Sequence, residues 1–262
     1  MSGNDGDGGM STGFRDHFSG VAAGYARFRP GYPAALFAWL AERAPGRRLA
    51  WDCATGSGQA ALGLAEHFVR VVATDASAEQ VASARPHPRV DFRVAPAERS
   101  GLDDGSADLV TVAQALHWFD VPAFFAEARR VLRPGGLLAA WCYGNPVLPD
   151  ATLERTLVDF YDGVVGAYWP PERRLILEGY ASLPFPFREV AAPPLAMEAD
   201  LTLDGLAGYL RTWSATVRYV AAHGVDPVDD LVERFRPDWG DPEATLRVRW
   251  PLTVRAGYTG AE

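Results

Sequence analysis

The chain has no lysine. All 25 of its basic residues are arginine, and among its 262 residues only Ile176 is isoleucine. GC-rich coding explains that bias better than chemistry does, and it suggests a bacterial source. Cysteine is scarce too. Cys53 and Cys142 both fall in apolar, strand-like runs, where buried reduced thiols are the usual case, so no disulfide framework is expected. Basic charge is not in excess either: the formal net charge is -8, which argues against nucleic-acid binding because phosphate affinity needs a basic face. No apolar run reaches the ~18 residues of a membrane span. The acidic, glycine-rich start is unlike a signal peptide. Together these absences predict a cytoplasmic protein with neither membrane nor nucleic-acid partners. His17, His67, His87 and His223 are scattered, with no metal-site spacing, so no metal is expected.

What is present is enough apolar residue, 48%, to bury a real core. Residues 1–13 read as a flexible tail, and 14–262 as a single domain. From Leu49 onward strand and helix signals alternate: apolar 49–53, helix-compatible 58–68, Val69 to Thr74, a helical stretch stopped near Pro86, Val90 to Ala95, Asp108 to Ala113, a helix from about Pro122 to Leu132, and Leu137 to Cys142. This grammar predicts an α/β fold with a parallel, doubly wound sheet.

Beyond Gly144 the pattern changes. Leu153, Leu157, Phe160 and Val164 recur at helical spacing, and Pro170-Pro171 precedes a second helical run over 172–180. Residues 145–186 therefore read as an inserted helical lid. A strand over about 187–202 is interrupted by Pro193-Pro194. Leu206, Leu210, Trp213, Val217 and Val220 then form one helical stripe, with Arg211, Ser214 and Arg218 opposite it. Alternation from Leu246 to Ala256 predicts a last strand, placed near an edge or bulge by Pro251, with Arg247, Arg249 and Arg255 on the surface.

The chemistry concentrates in Leu49-Ala-Trp-Asp-Cys-Ala-Thr-Gly-Ser-Gly-Gln59. A strand ends in Asp52 and breaks into glycines that open a helix, bringing backbone close to a ligand at the helix N-terminus. Gly56-Ser-Gly58-Gln-Ala-Ala61 fits the dinucleotide pattern, and Asp75 ends the next strand, so a nicotinamide oxidoreductase is one reading. Asp52 weighs against it, because its carboxylate would repel a pyrophosphate and suits a ligand carrying an ammonium group.

Here the residues resemble the class I S-adenosylmethionine-dependent methyltransferases, in particular their small-molecule, trans-aconitate-type group. Asp52, Ala54, Gly56 and Gly58 occupy the first motif, with Ala54 in place of its first glycine. Gln114-Ala-Leu-His-Trp-Phe119 resembles the stretch under the methionine moiety, and Arg130-Val-Leu-Arg-Pro-Gly-Gly136 the turn into the fifth strand. The resemblance implies a Rossmann-like, seven-stranded, mostly parallel sheet with one antiparallel strand. It also implies an N-terminal helical cap over 14–48, a cofactor-binding core over 49–144, and a completion of the sheet over 187–262.

S-adenosylmethionine is then the implied cofactor. Its site would comprise Asp52, Ala54, Gly56, Gly58 and Gln59 in the loop, Asp75 on the ribose, Ala76, Ala97 and Glu98 about the adenine, and Gln114, Tyr25 and Arg29 at the methionine end. Trp118, Arg218 and Tyr219 are candidates for a small-molecule acceptor, with methyl transfer to a carboxylate or hydroxyl oxygen expected. If the acceptor needs deprotonation, His117 is the candidate base; otherwise it is pocket floor. A cofactor-binding module without catalysis is the reading from another class.

Overall fold

The computed structural model describes residues 30–260; the expected tail and the first part of the expected cap, including Tyr25 and Arg29, lie outside them. Strands β1 (Leu49–Cys53), β2 (Arg70–Asp75), β3 (Val90–Val94), β4 (Ala107–Ala113) and β5 (Leu132–Tyr143) pair in parallel. Successive side chains on a strand point to opposite faces, and both faces here are covered. Along β5, Leu137, Ala139 and Trp141 enter one core while Leu138, Ala140 and Cys142 enter the other.

Helices α1 (Ala34–Arg43) and α2 (Gln59–Ala65) close the first core with Leu36, Phe37, Leu40 and Leu64. The short α3 (Ala78–Ser83) follows β2, capped by the Ser77 side chain. On the opposite face α4 (Val121–Val131) packs Phe124 and Phe125. It starts where the Asp120 carboxylate accepts the Ala123 N–H, with Pro122 in the first turn, the combination that favours a helix N-terminus. Glu127 on α4 is buried beneath this face. Its carboxylate accepts the Ser100 N–H at 2.7 Å, the Ser100 hydroxyl at 2.6 Å, and Arg130 Nε and Nη2 at 2.8 Å each.

The sheet has eight strands rather than the expected seven, in the order β3-β2-β1-β4-β5-β8-β6, with β7 also paired to β8. The extra strand arises because the predicted 187–202 strand is two strands, β6 (Arg188–Val190) and β7 (Leu195–Leu201), separated by Pro193-Pro194. Both lie antiparallel to β8 (Leu246–Tyr258), itself antiparallel to β5. β8 is thus the one strand running against the rest, and it is interior, not at an edge. Pro251 is tolerated there because pairing with β5 spans only Leu252–Tyr258, leaving Pro251 opposite β7 alone.

A helical layer covers the carboxyl end of the sheet. It is built from α5 (Ala151–Asp159), a π turn (Phe160–Val164), a 3-10 turn (Gly166–Tyr168), α6 (Arg173–Leu177), α7 (Leu203–Arg211), α8 (Ser214–His223) and α9 (Pro227–Trp239). One core joins all of them but α6: Leu153, Leu157 and Phe160 pack with Leu206, Leu210, Leu231, Phe235 and Trp250. The first part of the 145–186 segment therefore shares its interior with the later helices, while Ile176 and Tyr180 enter the core beneath α4.

The single stripe predicted over 206–220 does not exist as one helix. Backbone at Trp213 is extended (φ -66°, ψ 134°), and its ring packs against Phe160, Tyr161, Trp169 and Tyr209. That aromatic cluster outweighs helical continuity, and Val217 and Val220 turn outward as a result.

No helix among the described residues is long and apolar enough to cross a membrane. Cys53 and Cys142 are free and buried; burial pushes the Cys142 thiol up to about 12 and the Cys53 thiol well above its ordinary range, which leaves both unreactive.

Candidate active site

Strand order reverses between β1 and β4, the point at which open α/β sheets receive ligands. Both strands end there in a left-handed residue that is not glycine, Ala54 (φ 54°) after β1 and Gln114 (φ 56°) after β4. Such a conformation costs an L-residue about 1–2 kcal/mol, so the surrounding bonds must hold it. At Ala54 they do: the Thr55 N–H donates to the Thr74 carbonyl at 2.9 Å, and the Gly58 N–H to Thr55 at 3.0 Å.

The position tolerates alanine but not a branched side chain. Ala54→Val is expected to destabilise the protein by about 2 kcal/mol. Ala54→Gly should change stability by less than about 0.5 kcal/mol, because relief of strain is offset by added freedom in the unfolded chain. Chemical denaturation of the three proteins checks both.

Asp52 is fully buried beneath this loop. One carboxylate oxygen accepts the Thr55 hydroxyl at 2.6 Å and the other the Thr111 hydroxyl at 2.8 Å. Thr111 stands directly opposite it in the β1–β4 register. Burial raises its pKa to about 6 despite those two hydroxyls, with the nearby Asp75 adding to the rise. The structure therefore places Asp52 as an anchor holding the ends of β1 and β4 together, one layer below the expected ligand surface.

Asp75 ends β2 at that surface. Its Oδ2 accepts the Gly56 N–H at 2.8 Å and its Oδ1 the Ser77 N–H at 2.9 Å. A carboxylate has about four acceptor sites, so each oxygen can take a further donor. Gly56 is left-handed (φ 56°), and among the described residues a side chain there would meet nothing nearer than Gln80 at 3.8 Å. The loop thus presents bare backbone beside a carboxylate, a cradle suited to a ligand with vicinal hydroxyls. Ala76 and Gln59 are exposed at its rim and Ala97 is buried. Glu98 is engaged, accepting the Asp120 N–H at 3.3 Å.

After β4, the Gln114 amide bridges to β5, donating to the Tyr143 carbonyl at 3.1 Å and accepting its N–H at 2.9 Å. This mimics one more ladder step and secures the strained backbone. A 3-10 turn (Leu116–Trp118) follows, setting His117 and Trp118 at a cleft between the sheet and the helical layer, with Gln114, Trp169, Arg173, Trp213 and Ser214 among the other lining residues. His117 Nδ1 lies 3.1 Å from the Tyr180 hydroxyl. Burial, assisted by the Arg173 cation, lowers the His117 pKa to about 3, which makes the ring a poor proton acceptor at neutral pH.

Arg218 and Tyr219, expected at the cleft, do not line it. Arg218 donates to the Tyr168 carbonyl at 3.3 Å, and Tyr219 packs on Tyr168 and His223. Arg211 is tied to Asp226 and Asp229.

Arg173, which the sequence reading passed over, faces the cleft instead. It donates to Asn145 Oδ1 at 2.7 Å and to the Tyr161 hydroxyl at 3.1 Å, with its guanidinium 4.5 Å from the Trp169 ring centroid. Nothing in its Pro-Pro-Glu-Arg-Arg context marked it. Arg255 is not a surface residue either: its side chain is only 14% exposed, and it donates to the carbonyls of Tyr180 and Leu183. Those bonds brace a left-handed pair at Gly179 and Tyr180 (φ 61° and 63°).

A methyltransferase domain model matches residues 51–140. A protein of Dictyostelium discoideum named as a methyltransferase is 31% identical over 225 residues, spanning 85% of this chain and 86% of its own length. A Mycobacterium tuberculosis protein, named as an uncharacterized methyltransferase, is 39% identical over 122 residues, 46% of this chain and 49% of that one. Among solved structures, one titled as a type II methyltransferase from Anaeromyxobacter dehalogenans is 48% identical, covers 90% of this chain and 100% of its own, and superposes with a TM-score of 0.86. With the first-strand loop, Asp75 and the switch-point cleft in place, and relatives of near full length, the chain belongs to the class I S-adenosylmethionine-dependent methyltransferases.

Proposed function

We propose that this protein transfers the methyl group of S-adenosylmethionine to an oxygen of a small-molecule acceptor by in-line displacement. The observation that carries this reading is the pairing of Asp75, with acceptor capacity to spare, and the open backbone of Gly56 at the end of β2. In this reading Asp75 takes the ribose hydroxyls. Ala76, Ala97 and Glu98 border the adenine, and Gln59, Gly58 and Ala54 shape the loop. Asp52 acts from below by fixing that loop, and Tyr25 and Arg29 serve the methionine carboxylate. Bound S-adenosylmethionine supplies a methyl group on a sulfonium whose positive charge disappears on transfer.

The chain's own task is alignment and exclusion of water, both of which favour such a reaction. The cleft beyond Gln114 supports this. Its aromatic walls, Trp118, Trp169 and Trp213, suit a small organic acceptor. An oxygen acceptor fits a site whose one histidine among the described residues is a weak base, since a carboxylate needs no deprotonation.

Release of S-adenosylhomocysteine should be followed for the purified full chain given S-adenosylmethionine and a panel of carboxylates, phenols, alcohols and amines. Turnover confined to oxygen acceptors is expected. Turnover with amines alone would overturn the oxygen assignment, and failure to bind S-adenosylhomocysteine would overturn the whole reading.

A further inference from the structure

We propose that Arg173 and His117 form a subsite for a negatively charged oxygen group on the acceptor, with Tyr180 as the positioning residue that makes His117 a hydrogen-bond donor. The inference deepens the transferase reading and rests on it. Arg173 has no ion pair among the described residues. Its partners among the described residues are an amide, a phenol and two aromatic faces, all neutral. A guanidinium carries five N–H donors, and two of Arg173's are engaged. A cation left at the wall of a cleft, desolvated on one side by Trp169, has its complement in an anion.

The state of His117 follows from its neighbour. Tyr180 is fully buried, and burial keeps its phenol protonated well above its ordinary range. Nδ1 of His117 lies 3.1 Å from the phenol oxygen. Were Nδ1 protonated, it would donate to that oxygen and leave the buried phenol hydrogen without an acceptor among the described residues, an arrangement that buried polar groups avoid. With Nδ1 bare, the phenol donates to it and the buried hydroxyl hydrogen is satisfied. The ring proton then sits on Nε2, which has no hydrogen-bond partner among the described residues, on a ring that lines the cleft. His117 thus adds a neutral donor to the Arg173 cation, and the pair matches the two lone-pair faces of an oxyanion. The braced Gly179–Tyr180 turn fits this role, since backbone strain of that kind persists where the surrounding structure over-determines it.

Two measurements on the full chain test this. In ¹⁵N-histidine NMR, with His117→Gln identifying the resonances, Nε2 of His117 should appear protonated and Nδ1 bare, and Tyr180→Phe should shift both towards a tautomer mixture. A protonated Nδ1 in the wild type would overturn the proposal. In calorimetry with benzoate and neutral benzamide as probes and S-adenosylhomocysteine present, the wild type should prefer benzoate. Arg173→Gln should lower benzoate affinity at least 10-fold, leaving benzamide and S-adenosylhomocysteine within twofold, with partial recovery in Arg173→Lys.

Equal binding of the two probes by the wild type, or a loss confined to S-adenosylhomocysteine in Arg173→Gln, would overturn the anion subsite. If the wild type binds no S-adenosylhomocysteine, the transferase reading fails, and the tautomer and the probe preference are still read in its absence.

Discussion

Asp75→Ala is expected to lose at least about 100-fold in S-adenosylhomocysteine affinity, roughly 2.7 kcal/mol at 25 °C. Two effects combine. The acceptor for the ribose hydroxyls disappears, and the Gly56 and Ser77 N–H groups that Asp75 now binds at 2.8 and 2.9 Å lose their partner, so the loop that should meet the ligand is no longer held. Asp75→Asn separates the two contributions, because its amide oxygen can still accept one N–H while the charge is gone; an intermediate loss of about 10-fold is expected, of the size of one charge-assisted hydrogen bond. Calorimetric titration of each variant, with circular dichroism to establish folding, is the check. An alanine variant that folds and binds with wild-type affinity would remove Asp75 from the ligand site.

The second large effect is on stability. Glu127→Ala should destabilise the protein by about 3 kcal/mol, because it strands the Ser100 N–H and removes the carboxylate from a pair with Arg130 that is closed to water on one side. Arg130 keeps Asp104 as a partner, which limits the loss.

The same carboxylate predicts a pH dependence. Its hydrogen bonds from Arg130 and then from Ser100 outweigh burial and lower its pKa to about 2, against an ordinary value of 4.5. A carboxylate whose pKa is lower folded than unfolded contributes stability that is fully present above the unfolded value and is lost as pH falls through the folded one. The wild type should therefore lose stability between about pH 4.5 and 2, and Glu127→Ala should be flatter over that window. Urea midpoints measured across the range decide it. Parallel slopes for the two proteins would mean that Glu127 is not perturbed.

Much of the sheet was legible because its signals are local. The β1 loop declares itself through the strand-to-glycine break at Asp52 to Gly58, and α4 through Asp120, Pro122 and its apolar face. Pro193-Pro194 marked the interruption between β6 and β7, though not that the two halves count as separate strands. What escaped reading depends on packing between distant segments. Trp213 looked like one more member of a helical stripe, and only the aromatic rings around it reveal why the helix breaks there.

α9 went unread although Asp226-Pro227 is a sound helix start and Val228, Leu231 and Phe235 are buried on one side; its acidic residues and Pro237 obscured the apolar spacing. In the site, the positions of Asp52 and His117 were legible while their hydrogen-bond partners were not. Asp52 is governed by Thr111, a hydroxyl within an otherwise apolar strand and so a detectable signal. His117 is governed by Tyr180, 63 residues away, which no local pattern connects to it.

The position of β8 bears on the order in which the molecule can assemble. It lies between β5 on one side and β6 and β7 on the other, yet it is the last strand to be made. Until residues 246–258 have emerged from the ribosome, β5 has an unpaired edge along Leu137–Tyr143, and β6 and β7 have no sheet to join. The first five strands can pair among themselves as they appear, but the nascent chain then holds an exposed apolar edge from the completion of β5 until β8 is made, the kind of surface that recruits other chains. The helices of the covering layer are translated before β8 and share a core with Trp250, so their final packing waits on the same strand. Completion of the sheet and closure of the cleft are thus one late event.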